Sequence, residues 1–492
     1  MAIPTQGPDE LYVCPICVDG EWRASLGRTQ ILHNPGTGAP LTMAPNCTSE
    51  EVQAAIASAH AAFDSWRQVP VPQRAQVLFR FREQLQAHFE ELAALITQEN
   101  GKTFEESRGS LRRGMEAVEL ACAIPTLLMG DSLENVAPGI DCRTIRQHLG
   151  VCAGIPPFNF PAMIPLWMFP LAVACGNTFV LKPSDKTPRT SIRLVELLYA
   201  AGLPGGVVNV VHGAKEVADI LLNDPRVKAI SFVGSAAVAK YVYETAAAAG
   251  KRVQALGGAK NHLVAMPGAD RKVAVEAILS SAFGCAGQRC MAATVVVAVG
   301  EAAASLVEEL VEASDAIRVG AGDHPQTEMG PVISVTAKQR ICEYIEIGMR
   351  EGATLARDGR TVTPHDRSNG FYIGPTIFDH VRPGMRIAQE EIFGPVLCIV
   401  RARDLREALE IVNRSDYGNG ASIFTASGAE AREFASQVQA GMVGINVGVP
   451  APPAFFPFAG WKGSFYGDLH AVGKDAIHFY TETKVVTSRW PH

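Results

Sequence analysis

A doubly wound parallel α/β fold is predicted by three features of the sequence. From residue 149 onward, short apolar runs alternate with helix-length amphipathic segments, the pattern of strand, crossover and strand again. The chain has 492 residues, 47% hydrophobic and 19% charged, enough for two or three domains around large cores. One apolar run, "AISFV", ends in a tight Gly-Ser turn that opens directly into a helical segment, as a phosphate-facing turn must.

The elements follow in order. Thr48 and Glu51 have the spacing of a capping box, and Val52, Ile56, Ala59, Phe63 and Trp66 then recur at helical period. A second helix is predicted over "RAQVLFRFREQLQAHFEELAALITQENGK", ending at Gly101. "DCRTIRQHLG" at 141–150 reads as a strand. The run from Leu149 to Leu181 is apolar enough to suggest a membrane span. Pro156, Pro157, Pro161, Pro165 and Pro170 disrupt any continuous helix there, so a buried strand, a turn and a core helix are expected. "LGVCAGI", "NTFVLKP", "GVVNVVHG" and "AISFVGS" read as strands, with "TSIRLVELLYAAG" and "AAVAKYVYETAAAAG" as helices between them. A second α/β region begins near "HLVAMPG", takes in "KVAVEAILSSAFGCAGQRC" and "TVVVAVG", and continues to about residue 455. The tail "AIHFYTETKVVTSRW" is predicted extended, with Ile477, Phe479 and Val485 on one parity.

Composition excludes several classes. Net charge is −6, from 44 basic and 50 acidic residues, with no basic stripe, so no nucleic-acid partner is expected. The first residues, "MAIPTQGPDELYV", carry neither an apolar h-region nor an Arg-rich transit pattern, and no membrane partner is expected. Eleven cysteines without a framework pattern suit reduced thiols in a cytoplasmic compartment. "CPIC" at Cys14–Cys17 has zinc-ribbon spacing but no second ligand pair, so the edge of a hairpin around "CVDGEW" is expected, and no metal.

Some residues suggest chemistry on their own. Backbone N–H groups after Gly234 and Ser235 suit a pyrophosphate, although no GxGxxG follows a strand and an ordinary βα turn has the same look. Lys182 and Asp185 follow the strand "NTFVL" at a ligand-binding sheet edge; they suit ribose hydroxyls or simply a solvated loop. In "AFGCAGQRCMA", Cys290 follows Arg289, whose guanidinium favours a thiolate, whereas Cys285 has no adjacent cation and is expected to pack in the preceding helix. Asn159, inside the apolar "PPFNFPAMIP", is either an oxyanion donor or a satisfied core amide.

Taken together, "PFNFP", "LKPSDKTP", "GLPGGVVNVVHG", "FVGS", "GQRC", "MGPVIS" and "EEIFGPV" resemble the aldehyde dehydrogenase superfamily, in its order and across nearly the whole chain. The resemblance implies an α/β, aldehyde dehydrogenase-like fold. It would have a Rossmann-type NAD domain at 1–129 and 149–256, a catalytic domain at 257–455, and oligomerisation strands at 130–148 and 473–490. It implies Cys290 as the nucleophile, with Asn159 and the Cys290 N–H as the oxyanion hole. It implies cofactor contacts at Phe158, Lys182, Asp185, Gly234 and Ser235, with Glu391 and Phe393 on the nicotinamide half. An acid at 185 repels a 2′-phosphate, which favours NAD over NADP.

One departure from the family pattern is informative. Hydrolytic members carry a Glu before Leu-Gly-Gly as the base for the deacylating water; here "VQALGGAKNH" offers Ala255 or Leu256, depending on the alignment. "GAKNH", "GQRCMA", "YGNGASIFT" and "FYTETKVVTSRW" are similar to the CoA-acylating methylmalonate-semialdehyde dehydrogenase branch. That similarity implies coenzyme A as co-substrate and acyl acceptor. It also implies a malonate or methylmalonate semialdehyde substrate that loses CO2, acetyl-CoA or propionyl-CoA as product, and a homotetramer. A β-carboxylate needs a cation; Arg289 and Arg113 match the branch, with adjacent Arg112 an alternative register. The rival readings are a hydrolytic NAD-dependent aldehyde dehydrogenase and a non-catalytic protein of the same fold.

Overall fold

The computed structural model describes residues 11–364 and 369–490, so the reading of residues 1–10 lies outside the described part. The alternation after residue 149 builds an eight-stranded sheet. Its centre is parallel, in the spatial order Arg252–Leu256, Val227–Val233, Val151–Ile155, Thr178–Leu181, Val208–Val210. These strands are buried almost throughout, which is why their sequences are continuous apolar runs rather than alternating ones. Helices Pro188–Ala200, Lys215–Asn223 and Ala236–Ala248 make crossovers. From Val151–Ile155 the chain winds outward one way, then returns through Val227–Val233 to wind the other way. Such a reversal opens a crevice at the carboxyl ends of the two central strands. Residues 156–159 leave one end and Gly234–Ser235 leave the other.

A seven-stranded sheet follows, in the order Thr354–Arg357, Thr376–Asp379, Val396–Ala402, Ala293–Val299, Asn261–Ala265, Gly420–Phe424, Met442–Ile445. All but the first strand run parallel. Only residues 257–260 separate Leu256 in the first sheet from Asn261 in the second. The carboxyl ends of one sheet therefore face the amino ends of the other. A third, antiparallel sheet joins Thr481–Arg489, Ile140–His148 and Ser132–Ala137.

Several expectations hold. The Thr48/Glu51 capping box opens the helix Ser49–Trp66. The apolar run divides into the strand Val151–Ile155, the fully buried helix Met163–Ala174 and the strand Thr178–Leu181. Among the described residues no helix is long and apolar enough to cross a membrane. Cys17 lies in a hairpin of Ile16–Val18 with Glu21–Arg23, and Cys14 is buried just before it.

Three expectations are corrected. The long second helix is two helices, Val71–Ala87 and Phe89–Asn100, broken at His88 (φ −105°, ψ 20°). Both helices pack on Pro188–Ala200, and just past the break Glu91 binds both His88 and Arg193. The tail is not extended throughout: Gly473–Phe479 is helical, burying Ile477 and Phe479, and the strand begins only at Thr481. Cys285 is not in the preceding helix: Arg271–Phe283 ends before it, and it lies in the single left-handed turn Gly284–Gly287 that follows.

Candidate active site

Beyond Phe283 the chain makes a sharp left-handed turn. Cys285 (φ 52°), Ala286 (φ 52°) and Gly287 (φ 69°) are all in the region that side chains disfavour. A Cβ at Gly287 would run into the backbone of Gly394, so this turn packs directly on the "FGPV" segment. The Cys285 N–H donates to Glu106 Oε1 at 2.5 Å, which ties the strained turn to the helix Phe104–Cys122. Cys290 follows, just ahead of the strand Ala293–Val299, and is half-buried. Burial pushes its thiol up to about 12 and nearby Glu391 adds to this, while its own N–H, Arg289 and the Met291 N–H oppose it.

Asn159 is buried at the crevice between the central strands of the first sheet. Its Nδ2 donates to Gln288 O at 2.9 Å, two residues before Cys290, and one amide hydrogen remains for a ligand. The residue is held from behind. Lys102, 2% exposed, donates Nζ to Asn159 O at 2.6 Å and lies 4.1 Å from the centre of the Phe160 ring. Asn100 Nδ2 donates to Phe158 O at 3.1 Å. The sequence reading missed this "NGK" support; the signal was a lysine followed by a capping box, which looks like an ordinary helix start.

The residues matched to a dinucleotide gather on the same crevice. Ser235 begins Ala236–Ala248 without a side-chain cap hydrogen bond, so the first-turn N–H groups have no side-chain acceptor and fit an anion. Gly234 sits against the Phe232 ring, where a Cβ would collide. Lys182 is buried and donates to Pro183 O and Gly213 O at 3.1 and 2.7 Å. Burial lowers its pKa, and the exposed Asp185 opposes that. Phe158 and Phe393 meet edge-to-face at 5.8 Å, with Phe393 strained at φ 57°. Glu391 accepts the Ala259 N–H at 2.9 Å; burial raises its pKa. These observations fit NAD.

The arginines separate. Arg112 is exposed, 5.7 Å from the Phe89 ring, whereas Arg113 turns inward. Arg113 Nη2 donates to Ala451 O and Pro452 O at 3.0 and 2.6 Å, and Nη1 to Glu116. Ala451 packs against the same core cluster as Cys290. Arg289 folds back so that Nη2 donates to Ser280 O, near the end of its helix, while its buried Nε has no hydrogen-bond partner among the described residues. Both candidates for the missing base are apolar and covered: Ala255 and Leu256 are buried between Phe232–Val233 on one side and Phe465–Tyr466 on the other. Among the described residues no group of His, Cys, Asp and Glu is placed to hold a metal.

The sequence matches the aldehyde dehydrogenase family over residues 22–486. It is 56% identical over 473 residues to malonate-semialdehyde dehydrogenase 2 of Geobacillus thermodenitrificans, covering 96% of this chain and 98% of that protein. It is 49% identical over 475 residues to malonate-semialdehyde dehydrogenase of Pseudomonas aeruginosa, covering 96% of each. The crystal structure of methylmalonate-semialdehyde dehydrogenase from Oceanimonas doudoroffii superimposes with a TM-score of 0.97 at 47% identity, covering 98% of this chain and 99% of that one. A Sinorhizobium meliloti 1021 structure complexed with NAD gives 0.97 at 45% identity over the same shares.

Proposed function

The chain belongs to the aldehyde dehydrogenase family, and from that premise we propose that it is a CoA-acylating, NAD-dependent dehydrogenase of malonate or methylmalonate semialdehyde. The observation that carries the acyl-transfer half is the apolar, covered end of the strand Arg252–Leu256, where neither Ala255 nor Leu256 can take a proton from water. The substrate half is supported by the relatives' activities and by the inward arginine.

In this reading the Cys290 thiolate attacks the aldehyde carbon. The Asn159 amide hydrogen not bound to Gln288 O, with the Cys290 N–H, holds the oxygen that becomes an alkoxide. Bound NAD supplies the hydride acceptor. Phe158, Phe393 and Glu391 hold its nicotinamide half, Gly234 and Ser235 its pyrophosphate, and Lys182 and Asp185 its adenosine ribose. Hydride loss leaves a thioester on Cys290. The substrate's β-carboxylate pairs with Arg113 and with the Nε of Arg289, which has no other partner among the described residues. Cleavage of the bond to that carboxylate releases CO2 and leaves the electron pair on the α-carbon, which is then protonated. The sulfur of CoA displaces Cys290, giving acetyl-CoA or propionyl-CoA.

We read the first sheet with its helices as the NAD-binding unit and the second as the catalytic unit. The third, with exposed Leu133, Val136 and Val485, is the assembly surface of a homotetramer in the cytoplasm.

The test is to mix enzyme, NAD⁺ and malonate semialdehyde without CoA. One NADH per active site, then near-arrest until CoA is added, is expected. Sustained turnover without CoA would mean that water deacylates the enzyme and that the hydrolytic reading is right.

A further inference from the structure

Two motifs were read only as family resemblance, yet each places an asparagine at the amino end of a parallel strand. Asn261 opens Asn261–Ala265, and Asn419 precedes Gly420–Phe424. Their side chains converge on one atom. Asn261 Nδ2 donates to the Cys290 carbonyl oxygen at 2.7 Å, and Asn419 Nδ2 to the same oxygen at 3.0 Å. Both residues are 5% exposed. Asn261 is held in turn: its Oδ1 accepts the Gly420 N–H at 3.0 Å, and its Nδ2 also donates to Ala292 O at 3.0 Å. Asn419 Nδ2 lies 3.0 Å from Met291 Sδ as well.

The Cys290 carbonyl and the Met291 N–H belong to one peptide unit. Two amide donors on the oxygen draw electron density from the nitrogen and make that N–H a stronger donor, the usual cooperativity of linked hydrogen bonds. The Met291 N–H, like the N–H of Cys290 itself, acts to lower the pKa of the Cys290 thiol. We propose that Asn261 and Asn419 are positioning residues that activate the Cys290 thiolate by polarising the peptide that follows it. The site needs such a device. Burial and Glu391 both disfavour the thiolate, Arg289 spends Nη2 on Ser280 O, and the carboxylate of the hydrolytic pattern is absent.

The proposal rests on Cys290 being the nucleophile, but not on the identity of the aldehyde or the acyl acceptor. Its test therefore omits both. The intact protein is alkylated with iodoacetamide across pH 6–11, with and without NAD⁺. Modification of the Cys290 peptide is followed by mass spectrometry in the parent and in Asn419→Leu, Asn419→Asp and Asn261→Ser. Losing a donor that strengthens the linked N–H contact by about 10–30% predicts a roughly twofold slower alkylation at pH 8 for Asn419→Leu, with the pH midpoint moved upward. Asn419→Asp places a carboxylate against the carbonyl and is expected to be slower still. Variants that keep the parent's thermal unfolding profile and its pH midpoint would overturn the proposal, even if their turnover falls. If the Asn419 variants do not fold, Asn261→Ser decides by the same criterion. A result in which CoA is dispensable for turnover would sink the proposed function while leaving this test untouched.

Discussion

The Asn159 amide is shared between structure and chemistry. One hydrogen is committed to Gln288 O, and the backbone oxygen of the same residue is gripped by the buried Lys102 ammonium. An amide so fixed has little reorganisation left to undergo when charge develops on a bound oxygen. Asn159→Ala is therefore expected to lower the NADH burst rate by about 10²–10³-fold, measured by stopped flow with saturating NAD⁺. An unchanged burst would remove Asn159 from the oxyanion hole. The neighbouring arginines give a sharper contrast. Arg113 reaches the carbonyls of residues 451–452, whereas Arg112 stays outside against Phe89. Arg113→Leu is expected to raise KM for malonate semialdehyde at least tenfold while sparing propanal, and Arg112→Leu to do neither. Losses of equal size for both aldehydes would make Arg113 a structural anchor of that loop. Cys290, Arg289 and Asn159 were visible as candidates from their neighbours in sequence. Asn261, Asn419 and Lys102 were not, because their partners lie 29, 129 and 57 residues away.

Helices carry the same lesson with a different physics. The start of Ser49–Trp66 was legible because a capping box is a local hydrogen-bond pattern written in four residues. The break at His88 was not, because periodicity runs straight through it. Both halves pack against Pro188–Ala200, about 100 residues away, from either side of the break. That same contact buries Glu99, whose carboxyl accepts the N–H groups of Arg189 and Thr190 at 3.0 Å each and so caps the partner helix. Burial raises its pKa from the ordinary 4.5 to about 7, against the pull of those hydrogen bonds. A folded-state pKa above the unfolded value means that the contribution is full below pH 4.5 and is lost as pH rises through 7. Glu99→Gln should flatten that segment of the stability profile, by at most about 3 kcal/mol. Urea denaturation at pH 4.5, 6 and 8 measures it; parallel profiles for parent and variant would show that Glu99 ionises normally.

At the scale of the whole molecule, the site exists because two sheets meet end to end. The carboxyl ends of Val151–Ile155 and Val227–Val233 deliver Asn159 and Ser235. The amino ends of Val396–Ala402, Ala293–Val299, Asn261–Ala265 and Gly420–Phe424 deliver Phe393, Cys290, Asn261 and Asn419. The third sheet stands apart, with Val485 64% exposed and Leu133 equally so. If this sheet is the assembly surface of the proposed tetramer, Val485→Glu is expected to lower the mass read by light scattering, with thermal stability falling alongside; an unchanged mass would place any interface elsewhere. The sequence by itself determined the parallel winding, since strands buried on both faces must be continuously apolar and crossover helices must be amphipathic. It also determined the absence of a carboxylate at 255 and 256, which no fold can supply. Only the tertiary structure decided which arginine faces inward, where the long helix breaks and what grips the Cys290 carbonyl. Each of those depends on a partner distant in the chain, and neither composition nor period records which distant residues a fold will bring within 3 Å of one another.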